Sequence, residues 1–199
     1  MIRVFIFSYA GDAAEAAACV RCARMAVPCA SVKVVDDASH PVQEETAEVL
    51  RSMGAEYVQS SWERHGNLRG PDCIRGMLSE MCREAEDDDI LVKVDCDTAL
   101  LDGGWLRWME QRPWCQIYTS GDFVNGDWRV FGCLYALRGW IARRLYREMD
   151  WSLLDDRAPE DWTIGREVLA RVPATLCRID EPWRKRSPWS VWTAWCWPS

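Results

Sequence analysis

The sequence lacks the features that mark several classes of protein. None of its apolar runs approaches the roughly 20 residues that a membrane-spanning helix needs. It also lacks an excess of basic residues: the formal net charge is −7 and the pI is about 5.0, which disfavours binding to nucleic-acid phosphates. The opening segment, residues 1–9, has no signal-peptide layout, because its apolar run is short and Arg3 interrupts it. We therefore expect a cytoplasmic protein that neither crosses a membrane nor binds nucleic acid.

Histidine is scarce, with two residues in 199, and this limits the metal sites that imidazole ligands could form. Cysteine is abundant by contrast, with ten residues, and Cys19 and Cys22 have the spacing of half a zinc site. No second pair matches them, and their alanine-rich surroundings favour a helix. We interpret the cysteines as small, apolar, reduced residues of a cytoplasmic chain.

Neither an internal repeat nor a low-complexity linker divides the chain, and its length suits one domain with a sizeable core. In the first half, short apolar runs alternate with segments of helical periodicity. The predicted strands span residues 3–7, 31–35, 56–59 and 90–94, and the predicted helices end near residue 25, span 41–53 and span 71–84. This alternation predicts βαβ units and a mostly parallel central sheet, and hence an α/β fold.

The second half has a weaker pattern. Its predicted helices span residues 105–111, 139–149 and 161–170, and its predicted strands span 115–118, 134–137 and 175–179. A stretch punctuated by Gly121, Gly126 and Gly132 separates the first two of these strands and favours no regular element. The last of the 13 tryptophans crowd an aperiodic tail. We interpret that tail as a hydrophobic cover over the sheet or as a lid that stacks on sugar rings.

Polar side chains follow three of the predicted strands at the point where each strand ends. They are Ser8 and Tyr9 after the first strand, Asp36 and Asp37 after the second, and Asp95 and Asp97 after the fourth. Ligands of open α/β sheets bind outside the carboxyl ends of the strands, so we expect these groups to line one site. An aromatic ring there can stack on a nucleotide base, and carboxylates can accept hydrogen bonds from the base or the ribose.

Asp95 and Asp97 are one residue apart, directly after the apolar run 90–94, and like charges at this spacing repel each other. The residues alone allow two interpretations. Both carboxylates can be solvated in a turn, or they can hold a hard divalent cation such as Mg²⁺ or Mn²⁺ against phosphate oxygens. The motif is not specific by itself. Three polar clusters at one predicted sheet edge favour the cation.

Four segments together resemble the GT-A-fold glycosyltransferases, most closely the family-2-like inverting enzymes. In the family's order they are Val34–Ser39, Gly66–Arg75, the Asp95-Cys96-Asp97 motif and Pro159–Trp162. The resemblance covers about residues 3–171. It implies a single GT-A domain, a Rossmann-like α/β/α sandwich, with a nucleotide-sugar half over about residues 1–100 and an acceptor half over about 101–182. The tryptophan-rich tail, 183–199, is outside the resemblance.

The resemblance implies an enzyme that moves a sugar from a nucleotide-diphosphate sugar, with a UDP-linked donor favoured, to an acceptor hydroxyl with inversion. By the same resemblance, Asp97 and Asp95 bind Mn²⁺ or Mg²⁺. Asp161 is then the base and Glu160 positions the acceptor, which can be a glycan, a lipid-linked group or a protein. The residues assigned to donor binding are Ser8, Tyr9, Asp36, Asp37, Asn67, Arg69, Arg75, Asp95 and Cys96. Read without the resemblance, Glu160 and Asp161 suit a helix N-terminus.

The chain departs from the family's pattern at several positions. Ala38 stands where a glycine is usual, and His40 and Pro41 follow where an aspartate is common. Many relatives have a further metal ligand after the aspartate motif, often a histidine, whereas this chain has no histidine beyond His65. The arginine-tryptophan motif and the membrane helices of processive synthases are also missing. A transferase that adds a single sugar is therefore the better match.

Two other classes of function remain as alternatives. A sugar-1-phosphate nucleotidyltransferase also uses an aspartate after a similar strand, but it needs a glycine-rich loop after the first strand, where this chain has Ser8–Asp12. A non-catalytic carbohydrate- or nucleotide-sugar-binding protein would account for the tryptophans without the carboxylates. Hydrolysis of a donor in the presence of Mn²⁺ would separate that protein from an enzyme.

Overall fold

The structure, a computed structural model, describes residues 1–64, 68–124, 127–180 and 194–196. Its strands are β1 (Ile2–Ser8), β2 (Ser31–Asp36), β3 (Glu56–Gln59), β4 (Ile90–Asp95), β5 (Thr98–Leu100), β6 (Ile117–Val124), β7 (Asp127–Arg138), β8 (Cys177–Asp180) and β9 (Ala194–Cys196). Its helices are α1 (Ala13–Ala26), α2 (Glu44–Ser52), α3 (Pro71–Cys82), α4 (Gly104–Glu110), α5 (Gly139–Glu148) and α6 (Glu160–Arg171). Within these ranges, no helix has the length and apolar character needed to cross a membrane.

Seven strands form one central sheet in the order β3-β2-β1-β4-β7-β6-β8. β7 runs antiparallel to both of its neighbours, β4 and β6, and the other neighbouring pairs are parallel. The mostly parallel sheet that the alternating pattern predicts is therefore confirmed. Parallel strands are buried on both faces, and this is why the runs in β1, β2 and β4 are almost continuously apolar.

Alternate residues of each central strand face opposite sides of the sheet. In β4, Ile90, Val92 and Val94 pack into a buried cluster that includes residues of α1, α2 and α4. Leu91, on the opposite face, packs into a second cluster with residues of α3, α5 and α6. Helices thus cover both faces of the sheet, and the α/β/α sandwich expected from the sequence is confirmed.

Several predicted elements differ from the observed ones in their bounds; the strand expected over 115–118, for example, is Ile117–Val124. The helix expected from Pro41 begins at Glu44, because the backbone N–H of Val42 donates to the Asp36 carboxylate and Gln43 is extended. The strand expected over 134–137 is the end of the 12-residue strand β7. The strand expected over 175–179 begins at Cys177, after a 3-10 turn.

A long hairpin formed by β6 and β7 arises from the glycine-punctuated stretch where the sequence predicts no regular element. β7 pairs with β4, with Tyr135 opposite Lys93 and Leu134 opposite Val94. This pairing brings Gly132 to the carboxyl end of β4. A Cβ atom at Gly132 would lie 3.1 Å from the Cβ atom of Asp161, so the glycine permits the start of α6 to approach β7 closely.

The tail contributes one strand. β9 pairs antiparallel with β5, which begins directly after Asp97, and Cys196 lies opposite Thr98. The other tail residues, 181–193 and 197–199, lie outside the described residues. The choice between a hydrophobic cover and a sugar-binding lid therefore stays a prediction.

Candidate active site

The carboxyl ends of β1, β2 and β4 meet at one edge of the sheet and bring the predicted polar clusters together. The register sets Ser8 beside Asp36, and Phe7, one residue earlier, beside Asp95. The start of α6 reaches the same edge through its contact with Gly132. Carboxylates that are far apart in the sequence therefore share one region.

Asp36 is 1% exposed, and both of its oxygens accept hydrogen bonds within the protein. Ser8 Oγ donates to Oδ1 at 2.8 Å. The backbone N–H of Val42 and the hydroxyl of Tyr57 donate to Oδ2 at 2.7 and 2.5 Å. These contacts join the end of β2 to the loop before α2, and they leave the Asp36 carboxylate little capacity for a ligand.

Asp37 is also buried and organises the turn that follows β2. Burial alone would raise the pKa of its carboxyl group, but backbone N–H groups of Arg64, His40 and Ser39 donate to it, and the net effect lowers that pKa. The carboxylate is thus held ionised inside a ring of main-chain donors. A nucleotide at this turn would meet the backbone and the neighbouring side chains rather than the Asp37 oxygens.

Arg64 links the loop after β3 to the ends of β1 and β4. Its guanidinium is buried, forms an ion pair with Asp12, and has Nη2 3.7 Å from Asp95 Oδ1. It also lies 5.0 Å from the ring centre of Tyr9, which is partly exposed. Burial opposes the charge of Arg64, but the carboxylates of Asp95 and Asp12 outweigh it and raise the pKa of the guanidinium. The site therefore contains a cation at its centre.

Asp97 is half-buried at the sheet edge, and its chemistry fits a divalent cation. Burial and the charge of Asp95 raise the pKa of its carboxyl group, and burial also raises the pKa of Asp12 nearby. A cation would relieve this repulsion, and carboxylate oxygens are the ligands that Mg²⁺ and Mn²⁺ prefer. In the described part of the chain, no group of three or more candidate ligands could hold a metal. Asp95 and Asp97 fit a cation whose other ligands are water and phosphate oxygens.

Cys96, between the two aspartates, is directed into the core rather than toward the sheet edge. It is fully buried, and its Sγ lies 3.9 Å from the carbonyl oxygen of Asp12. Burial raises the pKa of this thiol well above its ordinary value. Any contact between Cys96 and a donor would therefore involve its backbone.

Lys93 lies beneath Asp95 and is 1% exposed. Its ammonium group donates to Asp95 Oδ1 at 2.7 Å and to the carbonyl oxygen of Gly132, and it lies 3.8 Å from Glu160 Oε2. Burial opposes the charge, but Asp95 and Glu160 outweigh that effect and raise the pKa of the ammonium. Lys93 is therefore a buried cation between two carboxylates.

Glu160 is 4% exposed at the start of α6, and its Oε1 accepts a hydrogen bond from the hydroxyl of Tyr135. Burial raises the pKa of its carboxyl group to about 7, and Lys93 opposes this shift. The backbone N–H of Glu160 donates to the carbonyl of Leu68, and Arg69 forms an isolated β-bridge with Pro159. The loop before α3 therefore positions the start of α6, and the exposed Arg69 lies next to the Glu160-Asp161 pair.

Asp161 is partly exposed, unlike Glu160. Its Oδ2 lies 3.7 Å from Arg129 Nε, and its Oδ1 accepts from the backbone N–H of Trp162. Burial is the largest influence on its carboxyl group and raises the pKa, while Trp162 and Arg129 oppose the shift. A partly exposed carboxylate with a raised pKa can accept a proton from a hydroxyl group at this edge.

Arg75 does not lie near the carboxylates of the candidate site. Its guanidinium lies 5.9 Å from the ring centre of Tyr146 on α5. Arg75 also lines a cavity of about 550 Å³ with residues such as Ser79 on α3 and Arg83 directly after that helix. Asn67, also predicted to bind the donor, lies outside the described residues. Of the basic residues predicted for the diphosphate, Arg69 is the one that the structure brings near the pair at the start of α6.

Four residues of this site were not predicted from the sequence: Asp12, Arg64, Lys93 and Tyr135. Lys93 had a visible signal, because it is the one charged residue inside the apolar run 90–94. Asp12 lies in the turn that follows β1, where polar residues are common, and nothing near Arg64 or Tyr135 in the sequence sets them apart. Their contacts join distant segments, so only the folded chain reveals them.

The raised pKa of Glu160 predicts how stability depends on pH. Between its ordinary value of 4.5 and about 7, the folded state keeps a proton that the unfolded state releases. This contribution is present below pH 4.5 and is lost as the pH rises to about 7, a change of ~3 kcal/mol. Because Glu160→Gln cannot ionise, urea denaturation should give the wild type the steeper loss of unfolding free energy with pH. Equal pH dependence in both proteins would contradict the raised pKa.

No protein-family model and no curated protein sequence matches this chain. Solved structures do match its fold. The galactosyltransferase LgtC, in complex with donor and acceptor sugar analogues, has a TM-score of 0.53 and 16% identity, over 84% of this chain and 70% of LgtC. Glucosyl-3-phosphoglycerate synthase from Mycobacterium tuberculosis, in complex with Mn²⁺, UDP and glucosyl-3-phosphoglycerate, has a TM-score of 0.56 and 13% identity, over 90% of this chain and 68% of that one.

A third structure is the mannosyltransferase PcManGT from Pyrobaculum calidifontis, in complex with GDP-Man and Mn²⁺. Its TM-score is 0.54 at 15% identity, over 91% of this chain and 54% of that one. Likeness at such identities concerns the fold. The chain therefore has the GT-A fold of glycosyltransferases, as the resemblance in sequence implies.

Proposed function

We propose that this protein is a glycosyltransferase that moves one sugar from a nucleotide-diphosphate sugar to an acceptor hydroxyl. The observation that carries the proposal is the meeting of two carboxylate pairs, Asp95 with Asp97 and Glu160 with Asp161, linked at one edge of a GT-A sheet by Lys93. The neighbours' complexes with UDP or GDP-Man and Mn²⁺ support a nucleotide-sugar donor. We favour a UDP-linked sugar.

The donor side is formed by the ends of β1, β2 and β4, within the half of the chain that spans about residues 1–100. Asp95 and Asp97 would hold Mn²⁺ or Mg²⁺, which supplies positive charge to stabilise the diphosphate as it leaves. Arg64, already paired with two carboxylates, adds a fixed positive charge beside them. Tyr9, partly exposed above Arg64, is available to stack on the base.

The acceptor side is formed by β7 and the start of α6. In the proposed reaction, the acceptor oxygen forms a bond to the anomeric carbon while the bond from that carbon to the diphosphate oxygen breaks. Asp161 takes the proton of the acceptor hydroxyl, and the diphosphate leaves with the bonding electron pair. Attack from the face opposite the leaving group inverts the configuration at the anomeric carbon. Glu160 is fully buried, so its role is to position Asp161 and the acceptor.

We also propose that the protein acts in the cytoplasm. Eight cysteines are free: Cys19, Cys22, Cys29, Cys73, Cys82, Cys96, Cys115 and Cys177. This state is expected in a reducing compartment, where disulfides are rare.

Nucleotide binding tests the donor assignment without knowledge of the acceptor. We expect UDP with Mn²⁺ to raise the melting temperature more than UDP with a chelator does, because a ligand that binds the folded state stabilises it by mass action. The gain is ~2.7 kcal/mol when the ligand is at 100 times its dissociation constant. GDP, ADP and CDP, each with Mn²⁺, are measured for comparison with UDP. A shift with none of the four nucleotides would contradict a nucleotide-sugar donor.

Transfer itself separates an enzyme from a binding protein. A protein that binds UDP with Mn²⁺ but neither releases UDP from any UDP-sugar nor glycosylates an acceptor would be a binding protein. For an active protein, NMR of the first product formed reports the anomeric configuration. Retention of configuration would contradict the direct displacement with Asp161 as base.

A further inference from the structure

Lys93 is placed where an apolar residue would be expected. It belongs to β4, whose other residues up to Val94 are apolar, and it faces the same cluster as Leu91. Its three N–H donors have three oxygen neighbours: Asp95 Oδ1, the carbonyl oxygen of Gly132 and Glu160 Oε2. The ammonium group is thus enclosed by acceptors from three separate elements, β4, β7 and α6.

A structural role is a poor account of this lysine. Taking two or three charges out of water is costly, and well-packed apolar side chains in the same place are often as stable or more so. The sheet also contains a comparison, Lys33 on β2, which occupies the equivalent register position on the other side of Phe5. Lys33 pairs with the exposed Glu56 at 2.9 Å, away from the site. A buried lysine between two site carboxylates calls for a different explanation.

The two carboxylates that Lys93 joins belong to opposite sides of the proposed reaction. Asp95 is on the donor side, and its Oδ1 forms ion pairs with both Lys93 and Arg64. Its Oδ2 has no hydrogen bond or ion pair with the described residues and is available to a ligand. Glu160 is on the acceptor side, where Tyr135 holds its other oxygen. Lys93 thus contacts a carboxylate on each of the two sides.

We infer that Lys93 is a positioning residue that couples donor binding at Asp95 to the acceptor side at Glu160. The inference rests on the proposed function. In the free protein, when Glu160 is ionised, the ammonium charge is shared between Asp95 and Glu160. Neutralising Glu160 leaves that charge to act on Asp95 alone, which weakens the attraction of Asp95 for a metal–nucleotide complex. Coupling of this kind is reciprocal, so an occupied donor site changes the affinity of the acceptor side by the same factor.

A double-mutant cycle on the affinity for UDP with Mn²⁺, measured by calorimetry at a pH above the Glu160 pKa of about 7, tests the coupling. We expect Glu160→Gln to weaken binding about fivefold in the wild-type background and less than about twofold in the Lys93→Met background. In the matched Lys33→Met background, Glu160→Gln should keep its about fivefold effect. Glu167→Gln, which removes a carboxylate of the same helix that pairs with Arg171, should change the affinity less than about twofold.

Two outcomes overturn the coupling. Glu160→Gln can change the affinity by the same factor in the wild-type and Lys93→Met backgrounds, which would make the effect a direct one, or it can have no effect in either. Lys93→Gln, which keeps a hydrogen-bond donor without the charge, replaces Lys93→Met if the methionine variant does not fold. A wild type that binds no nucleotide diphosphate overturns the proposed function together with the coupling. If the wild type binds UDP but the effects of the Glu160 and Lys93 substitutions on affinity are additive, the coupling alone is overturned.

Discussion

Asp161→Asn should lower the rate of sugar transfer by about 10²–10⁴-fold, because a positioned base typically contributes that factor. The asparagine keeps the shape of the side chain, and its oxygen can still accept from the backbone N–H of Trp162, so the start of α6 should be preserved. It cannot take the proton of the acceptor hydroxyl. We therefore expect kcat to fall while affinity for UDP with Mn²⁺ stays near the wild-type value. Steady-state kinetics with the true acceptor, and calorimetry for UDP, measure the two effects.

Glu167→Gln is the matched control for this variant. Glu167 lies on the same helix, α6, and pairs with Arg171 away from the sheet edge. Its neutralisation removes one negative charge from α6, as Asp161→Asn does, and should leave kcat within about twofold of the wild type. Near-normal turnover by Asp161→Asn would show that the carboxylate serves only the helix N-terminus. Hydrolysis of the nucleotide sugar by water is a weaker substitute that can be measured before the acceptor is known.

Asp97→Ala should remove most of the stabilisation that Mn²⁺ adds to UDP binding. The raised pKa of Asp97 reflects burial and its repulsion with Asp95, and a divalent cation between the pair would offset that repulsion. Without Asp97 the proposed cation would lose one of its two proposed protein ligands. We expect the Mn²⁺-dependent part of the UDP thermal shift, up to ~2.7 kcal/mol at 100 times the dissociation constant, to fall to near zero. The shift is measured with and without Mn²⁺ for both proteins.

The control for Asp97→Ala is Asp88→Ala. Asp88 is exposed and precedes the amino end of β4, the strand that ends just before Asp97. Both variants change the net charge by the same amount, but only one alters the sheet edge where the ligand is proposed to bind. Asp88→Ala should keep the full Mn²⁺-dependent shift. If Asp97→Ala keeps it as well, the metal assignment is wrong.

The Asp161→Asn and Asp97→Ala variants should therefore lose different properties. Loss of the base affects the chemical step and leaves donor binding, whereas loss of the metal ligand affects donor binding itself. A general disturbance of the fold would lower both quantities in both variants. Measuring kcat and UDP affinity together separates these cases.

Much of the first half of the fold could be predicted from local patterns. Buried parallel strands are continuously apolar, and the helices between them repeat apolar residues at helical spacing, so both signals are contained within short segments. The hairpin of β6 and β7 could not be predicted in the same way. Its glycines at 121, 126 and 132 weaken the strand signal, and its pairing partners, β4 and β8, are distant in the sequence.

The candidate site, like the fold, could be predicted only in part from local patterns. Asp95 and Asp97 were visible because they end an apolar run, and Glu160 and Asp161 because they follow Pro159 in a family-like order. The sequence did not show how exposed each of the site's carboxylates is. Asp36 and Asp37 stand next to each other in a polar turn, yet both are buried and hydrogen-bonded within the protein.

The sequence by itself determined the α/β class, the strands that end at the site and the carboxylates that follow those strands, because apolar periodicity and strand ends are local properties. The tertiary structure alone decided which of those groups meet. It set Lys93 between Asp95 and Glu160, brought Arg64 to Asp12 from 52 positions away and directed Arg75 toward Tyr146. Charges act over a few ångströms of space rather than along the chain, so the protonation and partners of a carboxylate depend on which segments the fold packs together.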